Sequence, residues 1–96
     1  MSAYQVLSQG DQDDITVSFM LSQEQEKYCL ELNLQRYEKM LRTLEAGTWR
    51  VQIEKLQTDS TSRLAEVNSI VEATKAQMPS AERISAAVAR LQASQE

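Results

Sequence analysis

Histidine is absent from this 96-residue chain, and other residue types that commonly build reactive sites are scarce. Without histidine the chain lacks the usual general base near neutral pH and the commonest metal ligand, which argues against nucleophilic triads and zinc sites. Cys29 is the single cysteine, so an internal disulfide is excluded. Because it lies in the apolar-rich stretch 28–34, we expect a small core residue rather than a nucleophile. No catalytic residue, metal ligand or cofactor site is predicted, and the chain is expected not to be an enzyme.

Glycine, proline and aromatic residues are also few. Two glycines and one proline leave few places for a sharp turn, which favours long helices. Aromatic residues make up 5% of a chain that is 42% hydrophobic, so the core is expected to be thin and aliphatic. The length allows one small domain, or a few helices that complete their core against another chain.

The charge balance is acidic. Ten basic and fourteen acidic residues give a net charge of −4. Binding to nucleic-acid phosphates would require the few cations to be concentrated on one face. Arg42 and Arg50 instead stand four positions from Glu38 and Glu54, a spacing typical of intrahelical pairs on a solvated surface. No direct nucleic-acid binding is therefore expected.

Long hydrophobic runs are absent as well. No segment approaches the ~20 apolar residues of a membrane span, and residues 1–10 lack the basic start and apolar stretch of a secretory signal. We expect no transmembrane segment and a location in the cytoplasm or the nucleus.

The beginning of the chain predicts an acidic tail. Residues 1–14 are polar and contain Asp11, Asp13 and Asp14. They are expected to be disordered, which leaves residues 15–96 as a single helical or coiled-coil domain. The three aspartates have the spacing of a calcium-loop start, but the glycine and glutamate that such a loop requires are missing.

Residues 15–21 admit two interpretations. Apolar side chains alternate with threonine and serine, which is strand spacing and suggests a short arm that docks on a partner. A helix is favoured, because Asp14 is a suitable N-cap and no second strand candidate exists. Ser22 is another possible start, since it forms a capping-box pattern with Gln25.

An apolar stripe with helical spacing runs from residue 28 to residue 78. Its first part steps by four and three, which predicts a narrow face on a helix that ends near residue 46 and requires another helix beside it. The predicted partner-binding residues of the first part are Leu30, Leu34, Tyr37, Leu41 and Leu44. Those of the second part are Trp49, Ile53, Leu56, Leu64, Val67 and Val71.

Three positions are candidate breaks in the stripe. Gly47 and the threonine after it have the form of a helix end and a new N-cap, although a lone glycine costs a long helix only ~1 kcal/mol relative to alanine. The polar run at residues 58–62 lowers helix propensity and favours a bend or turn. Pro79 ends the second long helix, and Ser80 caps a short third one. The sequence leaves open which of the three breaks reverses the chain.

Trp49 also has two interpretations. It is either a binding hot spot or the largest core residue of a hairpin. A small helical enzyme with a site built from Arg36, Arg42, Arg50 and Glu54 is the least favoured alternative, because surface ion pairs account for their spacing.

A set of short motifs between residues 33 and 77 is similar to a segment of a known family. The motifs are Asn33–Leu34, Leu44–Glu45, Gly47, Trp49, Leu56 and Glu66–Val67–Asn68. They resemble a helical segment of a small coiled-coil subunit of the spliceosomal nineteen complex, with different spacing on either side of Trp49. The resemblance covers under half of the chain, and no family is assigned from it. It implies one specific form of a scaffold, namely a subunit of a spliceosome-associated complex.

Together these features predict an all-α protein. Long helices form a helical hairpin or coiled coil with a short C-terminal third helix, and partner helices complete the fold. The predicted function is a non-enzymatic structural or adaptor subunit of a multiprotein complex, which binds other helical proteins or itself through coiled-coil or helix-bundle seams. A self-contained three-helix adaptor or chaperone for one client protein is the alternative.

Overall fold

The computed structural model describes residues 7–95, and these form three α-helices. Helix α1 spans Gln9–Thr43, α2 spans Thr48–Lys75 and α3 spans Ala81–Ala93. No strand occurs within the described range. The predicted all-α class, with a long helical hairpin and a short third helix, is confirmed.

Helix α1 begins earlier than the sequence predicted. Ser8 is its N-cap, and the Ser8 Oγ accepts a hydrogen bond from the Asp11 amide at 3.1 Å. Asp11 lies in the first turn, where the helix dipole stabilises a carboxylate. Residues 9–14 are therefore helical, and the prediction of a disordered tail is wrong for them. The remainder of the predicted tail, residues 1–6, lies outside the described residues.

Residues 15–21 continue α1, so the alternative of an extended arm is excluded. Asp13, Val17 and Met20 are buried at intervals of four and three, which is the spacing of one helix face. Ser22 lies inside the helix rather than at its start, and its hydroxyl donates to the Phe19 carbonyl at 2.8 Å. The apolar residues that alternate with polar ones in this stretch lie on two different faces of the helix, one buried and one exposed.

The chain reverses direction at residues 44–47, so Gly47 is the break that forms the hairpin. Gly47 has φ 153° and ψ −171°, a region that is essentially restricted to glycine. The Arg50 guanidinium donates from Nη1 to the carbonyls of Leu41 at 3.0 Å and Leu44 at 2.7 Å. It thereby satisfies backbone acceptors that the end of α1 leaves without an intrahelical partner.

The polar run at residues 58–62 does not interrupt α2, contrary to the predicted bend. The Thr58 hydroxyl donates to the Glu54 carbonyl at 3.0 Å, and the Thr61 hydroxyl donates to the Gln57 carbonyl at 2.8 Å. Because these hydroxyls bond back to the preceding turn, they do not compete for the amides that hold the helix. Helix α2 is continuous for 28 residues.

Helices α1 and α2 pack along one another as an antiparallel hairpin. Met20 of α1 forms a buried cluster with Val67 and Val71 of α2, and Leu30 and Met78 pack against this cluster. The cluster lies away from the loop, at what we call the base of the hairpin. We call the end with the loop at residues 44–47 the tip.

Helix α3 packs on α1 at the base. As predicted, Ser80 is its N-cap, with the Ser80 Oγ accepting from the Arg83 amide at 3.4 Å. Ala87 is fully buried, as is Val17 of α1. A helix of 13 residues is marginal in isolation, so this packing is needed for its stability.

The molecule is elongated, with extents of 62 × 33 × 25 Å and a radius of gyration of 19.0 Å. A compact domain of this length has a radius of gyration of about 12.5 Å. The core is correspondingly small, as the thin aliphatic composition predicted. Within residues 7–95 the buried hydrophobic residues are Val17, Met20, Val67, Val71 and Ala87.

Candidate interaction surface

The predicted partner-binding residues divide into a buried and an exposed group. Val67 and Val71 are buried. Half-buried are Leu30, Leu34, Tyr37, Leu41, Leu44, Ile53 and Leu64. Leu30, Val67 and Val71 pack between α1 and α2, so the chain's own hairpin occupies part of the stripe, and contact of the nine with a partner stays a prediction. Trp49 and Leu56 are exposed, by 72% and 45%.

Trp49 is not a core residue of the hairpin. It lies in the first turn of α2, beside the loop, and nearly three quarters of its surface is accessible. The core interpretation is therefore excluded, and the binding interpretation stays a prediction. A tryptophan exposed to this extent leaves a large apolar area in water, and tryptophan is enriched where partners bind.

One long-range ion pair marks one side of the hairpin. The Arg63 guanidinium donates from Nε to Glu26 Oε2 at 2.7 Å and from Nη2 to Glu26 Oε1 at 2.9 Å. This bidentate contact joins α1 and α2 and shows that residues 26 and 63 lie level with each other. Arg63 Nη1 also donates to Glu66 at 3.0 Å. The hydrogen bonds from Arg63 hold the pKa of Glu26 below its usual value, which outweighs the opposing effect of burial.

On α1, the side that carries this ion pair also carries exposed apolar residues. In paired helices, residues seven positions apart keep nearly the same orientation toward the neighbouring helix, with a drift of ~20° per heptad. Phe19 is seven positions before Glu26, and Met40 is fourteen positions after it. Phe19 is 45% exposed and Met40 is 47% exposed. An apolar side chain therefore lies on this side of α1 near each end of the hairpin.

Helix α2 repeats this arrangement on the same side. Leu56 and Trp49 lie seven and fourteen positions before Arg63, and both are exposed. In the antiparallel register in which Glu26 lies level with Arg63, Trp49 lies level with Met40 at the tip. We call this side of the molecule the Glu26–Arg63 flank. It consists of Phe19, Glu26 and Met40 of α1 and Trp49, Leu56 and Arg63 of α2.

A shallow groove between α1 and α3 extends the flank at the base. Its lining residues are Asp14, Ile15, Ser18, Phe19, Ser22 and Leu91. Ile15 is 58% exposed, so apolar surface is accessible on the groove wall as well as on the flank. Asp14 is already bound by Arg90, which leaves the groove with packing surface rather than a group poised for chemistry.

Two arginines hold α3 on α1 beside this groove. Arg83 donates from Nε and Nη2 to the two carboxylate oxygens of Asp13, at 2.8 and 2.6 Å. Gln9 donates a further hydrogen bond to Asp13 at 3.0 Å. The hydrogen bonds from Arg83 lower the pKa of Asp13, which outweighs the opposing effect of burial. Arg90 makes the equivalent contact with Asp14 at 2.7 Å.

The four residues considered as an alternative catalytic set do not converge on one site. Arg42 pairs with Glu38 at 3.1 Å and Arg50 pairs with Glu54 at 3.0 Å, the two surface pairs that the sequence predicted. Arg36 is exposed on α1. The described residues contain no cluster of three or more histidine, cysteine or acidic side chains that could hold a metal ion. None of the three helices, as described, is long and apolar enough to cross a bilayer.

Cys29 is exposed, so the prediction of a core cysteine is wrong. Apolar neighbours in sequence did not indicate which face of the helix it occupies. It lies three residues after Glu26, and therefore beside that residue on the helix surface.

Sequence reasoning also missed Ile15, Phe19 and Met40 as surface residues. Their exposure follows from the register of α1 against α2 and α3, and no single-helix pattern contains that register. The available signal was the heptad spacing of Phe19 and Met40 around Glu26.

Comparisons with protein-family models, curated proteins and solved structures find no match to this chain. The interpretation of the Glu26–Arg63 flank therefore depends on its geometry alone.

Proposed function

We propose that this chain is a non-enzymatic structural or adaptor subunit of a multiprotein complex in the cytoplasm or nucleus. It binds helical proteins through the Glu26–Arg63 flank. The observation that carries the proposal is the flank itself, which has exposed apolar side chains from two helices on both sides of one ion pair: Phe19 toward the base, and Met40, Trp49 and Leu56 toward the tip.

The physical argument is the cost of leaving this surface in water. Exposed apolar area costs roughly 25 cal/mol per Å², and contiguous apolar surface on a soluble protein commonly marks an interaction site. The small buried core adds to this argument, because few side chains among residues 7–95 are buried within the chain itself. Two parallel rows of side chains on a hairpin form a groove that accepts the apolar stripe of another helix.

A self-contained three-helix adaptor for one client is the second candidate. The two arginine contacts that hold α3 on α1 favour it, since they close the base of the molecule without a partner. It predicts a monomer whose melting temperature does not depend on protein concentration.

Affinity purification from the native cell, with a matched pair of variants, tests the proposal. Trp49→Asp places a charge on the flank. Val51→Asp places the same charge two residues away, about 160° around α2, at a residue that is 65% exposed. We expect a helical protein to co-purify at a fixed ratio with the wild type and with Val51→Asp, and to be lost with Trp49→Asp.

Circular dichroism must show equal helix content in the two variants for this comparison to hold. Retention of the partner by both Trp49→Asp and Leu56→Asp would rule out the flank as the binding surface. The absence of any fixed-ratio partner in the wild type would count against the subunit role.

A further inference from the structure

We propose that the Glu26–Arg63 flank binds the same flank of a second copy of this chain. The two hairpins lie antiparallel, with the tip of each against the base of the other. This inference rests on the proposed function, since it names the helical partner that one flank binds. Two observations support a second copy as the occupant, namely the accessible area and the distribution of charge.

The accessible area is larger than a monomer of this mass requires. The chain exposes 7434 Å². A compact monomer of 10.9 kDa exposes about 5,600 Å². A standard stable interface buries about 800 Å² on each partner. The excess area is therefore sufficient for one interface with a second copy.

The charges are divided unequally between the two halves of the hairpin. The base half, residues 7–26 and 63–95, carries eight carboxylates and four basic groups. The tip half, residues 27–62, carries six basic groups and five carboxylates. An antiparallel pair places each acidic base beside a slightly basic tip, whereas a parallel pair places acidic base against acidic base. Electrostatic complementarity thus selects the antiparallel orientation.

A two-fold axis through the flank would pair its apolar residues across the interface. An isologous interface pairs each residue with a partner that is paired back in the same way. Phe19 at the base and Met40 at the tip lie at equal distances along α1 from a point between Cys29 and Leu30. A two-fold axis at that point puts Phe19 of each chain against Met40 of the other. The same pairing of the two chains also buries Trp49, which lies level with Met40.

The single tryptophan reports directly on this interface. Trp49 is 72% exposed in one chain and would lose much of that exposure in the dimer. We expect light scattering to give twice the chain mass. On serial dilution, we expect Trp49 emission to shift to longer wavelength and its quenching by acrylamide to increase.

A matched pair of variants locates the interface. Phe19 and Leu21 are equally exposed, at 45% and 47%, but point about 160° apart on α1. We expect Phe19→Asp to weaken self-association by at least about tenfold and Leu21→Asp to leave it unchanged, with equal helix content. A dimer that survives Phe19→Asp and is lost with Leu21→Asp would overturn the proposal.

Cross-linking tests the orientation. In a Cys29→Ser background, chains with Ser22→Cys are mixed with chains with Met40→Cys and treated with a short bismaleimide. An antiparallel dimer gives cross-links mainly in the mixture. Cross-links within each variant alone, at equal or greater yield, would show a parallel dimer and overturn the proposal.

Failure of this inference is distinguishable from failure of the proposed function. A wild type that stays monomeric across the concentration series overturns the second copy as occupant. If a different helical protein then co-purifies with the wild type at a fixed ratio and is lost with Trp49→Asp, the subunit role holds and that protein occupies the flank. If the chain dimerises but has no other fixed-ratio partner, self-association holds and the multiprotein role fails.

Discussion

Gly47 determines the direction in which the chain enters α2. Its φ of 153° and ψ of −171° place it in a region where a Cβ atom is strained whatever space surrounds it. Nothing lies within 4 Å of the position that a Cβ would occupy, so the constraint comes from the backbone itself and not from packing. Gly10 is different, because it lies in the regular helix α1 and carries no such constraint.

The two glycines therefore predict opposite responses to alanine. Gly47→Ala is expected to cost about 1–3 kcal/mol, which lowers the melting temperature by at least about 4 °C. Gly10→Ala is expected to be neutral or to stabilise by up to about 1 kcal/mol, because its new Cβ would meet Arg90 at an ordinary 3.7 Å. Thermal unfolding followed by circular dichroism measures both. Equal melting temperatures for the two variants would contradict the restriction at Gly47.

Arg50 shows what a residue-scale pattern can and cannot predict. Its pairing with Glu54 follows from the spacing of four and is present in the structure. Its hydrogen bonds to the carbonyls of Leu41 and Leu44 depend on the reversal of the chain, which the sequence left open. The same side chain thus has one role that is readable from local spacing and one that requires the tertiary structure.

At the scale of elements, long helices followed by a short third helix were predictable, whereas the position of the hairpin turn, the start of α1 and the continuity of α2 were not. The start of α1 was missed because an acidic segment favours both a disordered tail and the first turn of a helix, and only the Ser8 cap separates them. The continuity of α2 was missed because side-chain hydroxyls can disrupt a helix or bond back into it. The hydroxyls of Thr58 and Thr61 bond back into the helix. The sequence contains the heptad spacing of the flank residues but not which side of the hairpin they occupy, since that requires the register of two helices.

Helix α3 depends on charge more than the other two helices do. It packs on α1 alone among the described helices, and the Asp13–Arg83 and Asp14–Arg90 contacts lie at that interface. The Asp13 side chain is 7% exposed, so its charge depends on the arginine beside it. Acid is therefore expected to loosen α3 before it unfolds the hairpin.

The sign of the pH dependence follows from the lowered pKa of Asp13. A carboxyl whose folded-state pKa lies below its unfolded value stabilises the fold above the unfolded value of about 4, and this stabilisation is lost as the pH falls through the folded value. Arg83→Gln removes the main cause of the lowering, so the loss is expected to begin at higher pH. Amide hydrogen exchange of α3 against pH measures this.

A control for this experiment is Arg42→Gln, since Arg42 pairs with Glu38 within α1 and far from α3. It is expected to leave the acid response of α3 unchanged. If Arg83→Gln and Arg42→Gln gave the same α3 protection at every pH, the Asp13 contact would not hold α3 on α1.

At the scale of the whole molecule, length distinguishes the possible assemblies. The chain is 62 Å long and at most 33 Å wide, so the way a second copy is added decides the overall dimension. Pairing of the flanks places the hairpins side by side and adds to the width. Association through the loops at the tips would instead add to the length.

Small-angle X-ray scattering of the dimer can therefore be compared directly with these dimensions. For antiparallel pairing through the flank, the maximum dimension is expected to exceed the 62 Å of one chain only through the added width, and to stay well below twice that length, while the mass doubles. The radius of gyration then increases little above 19.0 Å, because side-by-side addition places the second copy's mass close to the first. Phe19→Asp chains should give the monomer mass at the maximum dimension of one chain. A dimer nearly twice as long as one chain would show end-to-end contact and exclude pairing through the Glu26–Arg63 flank.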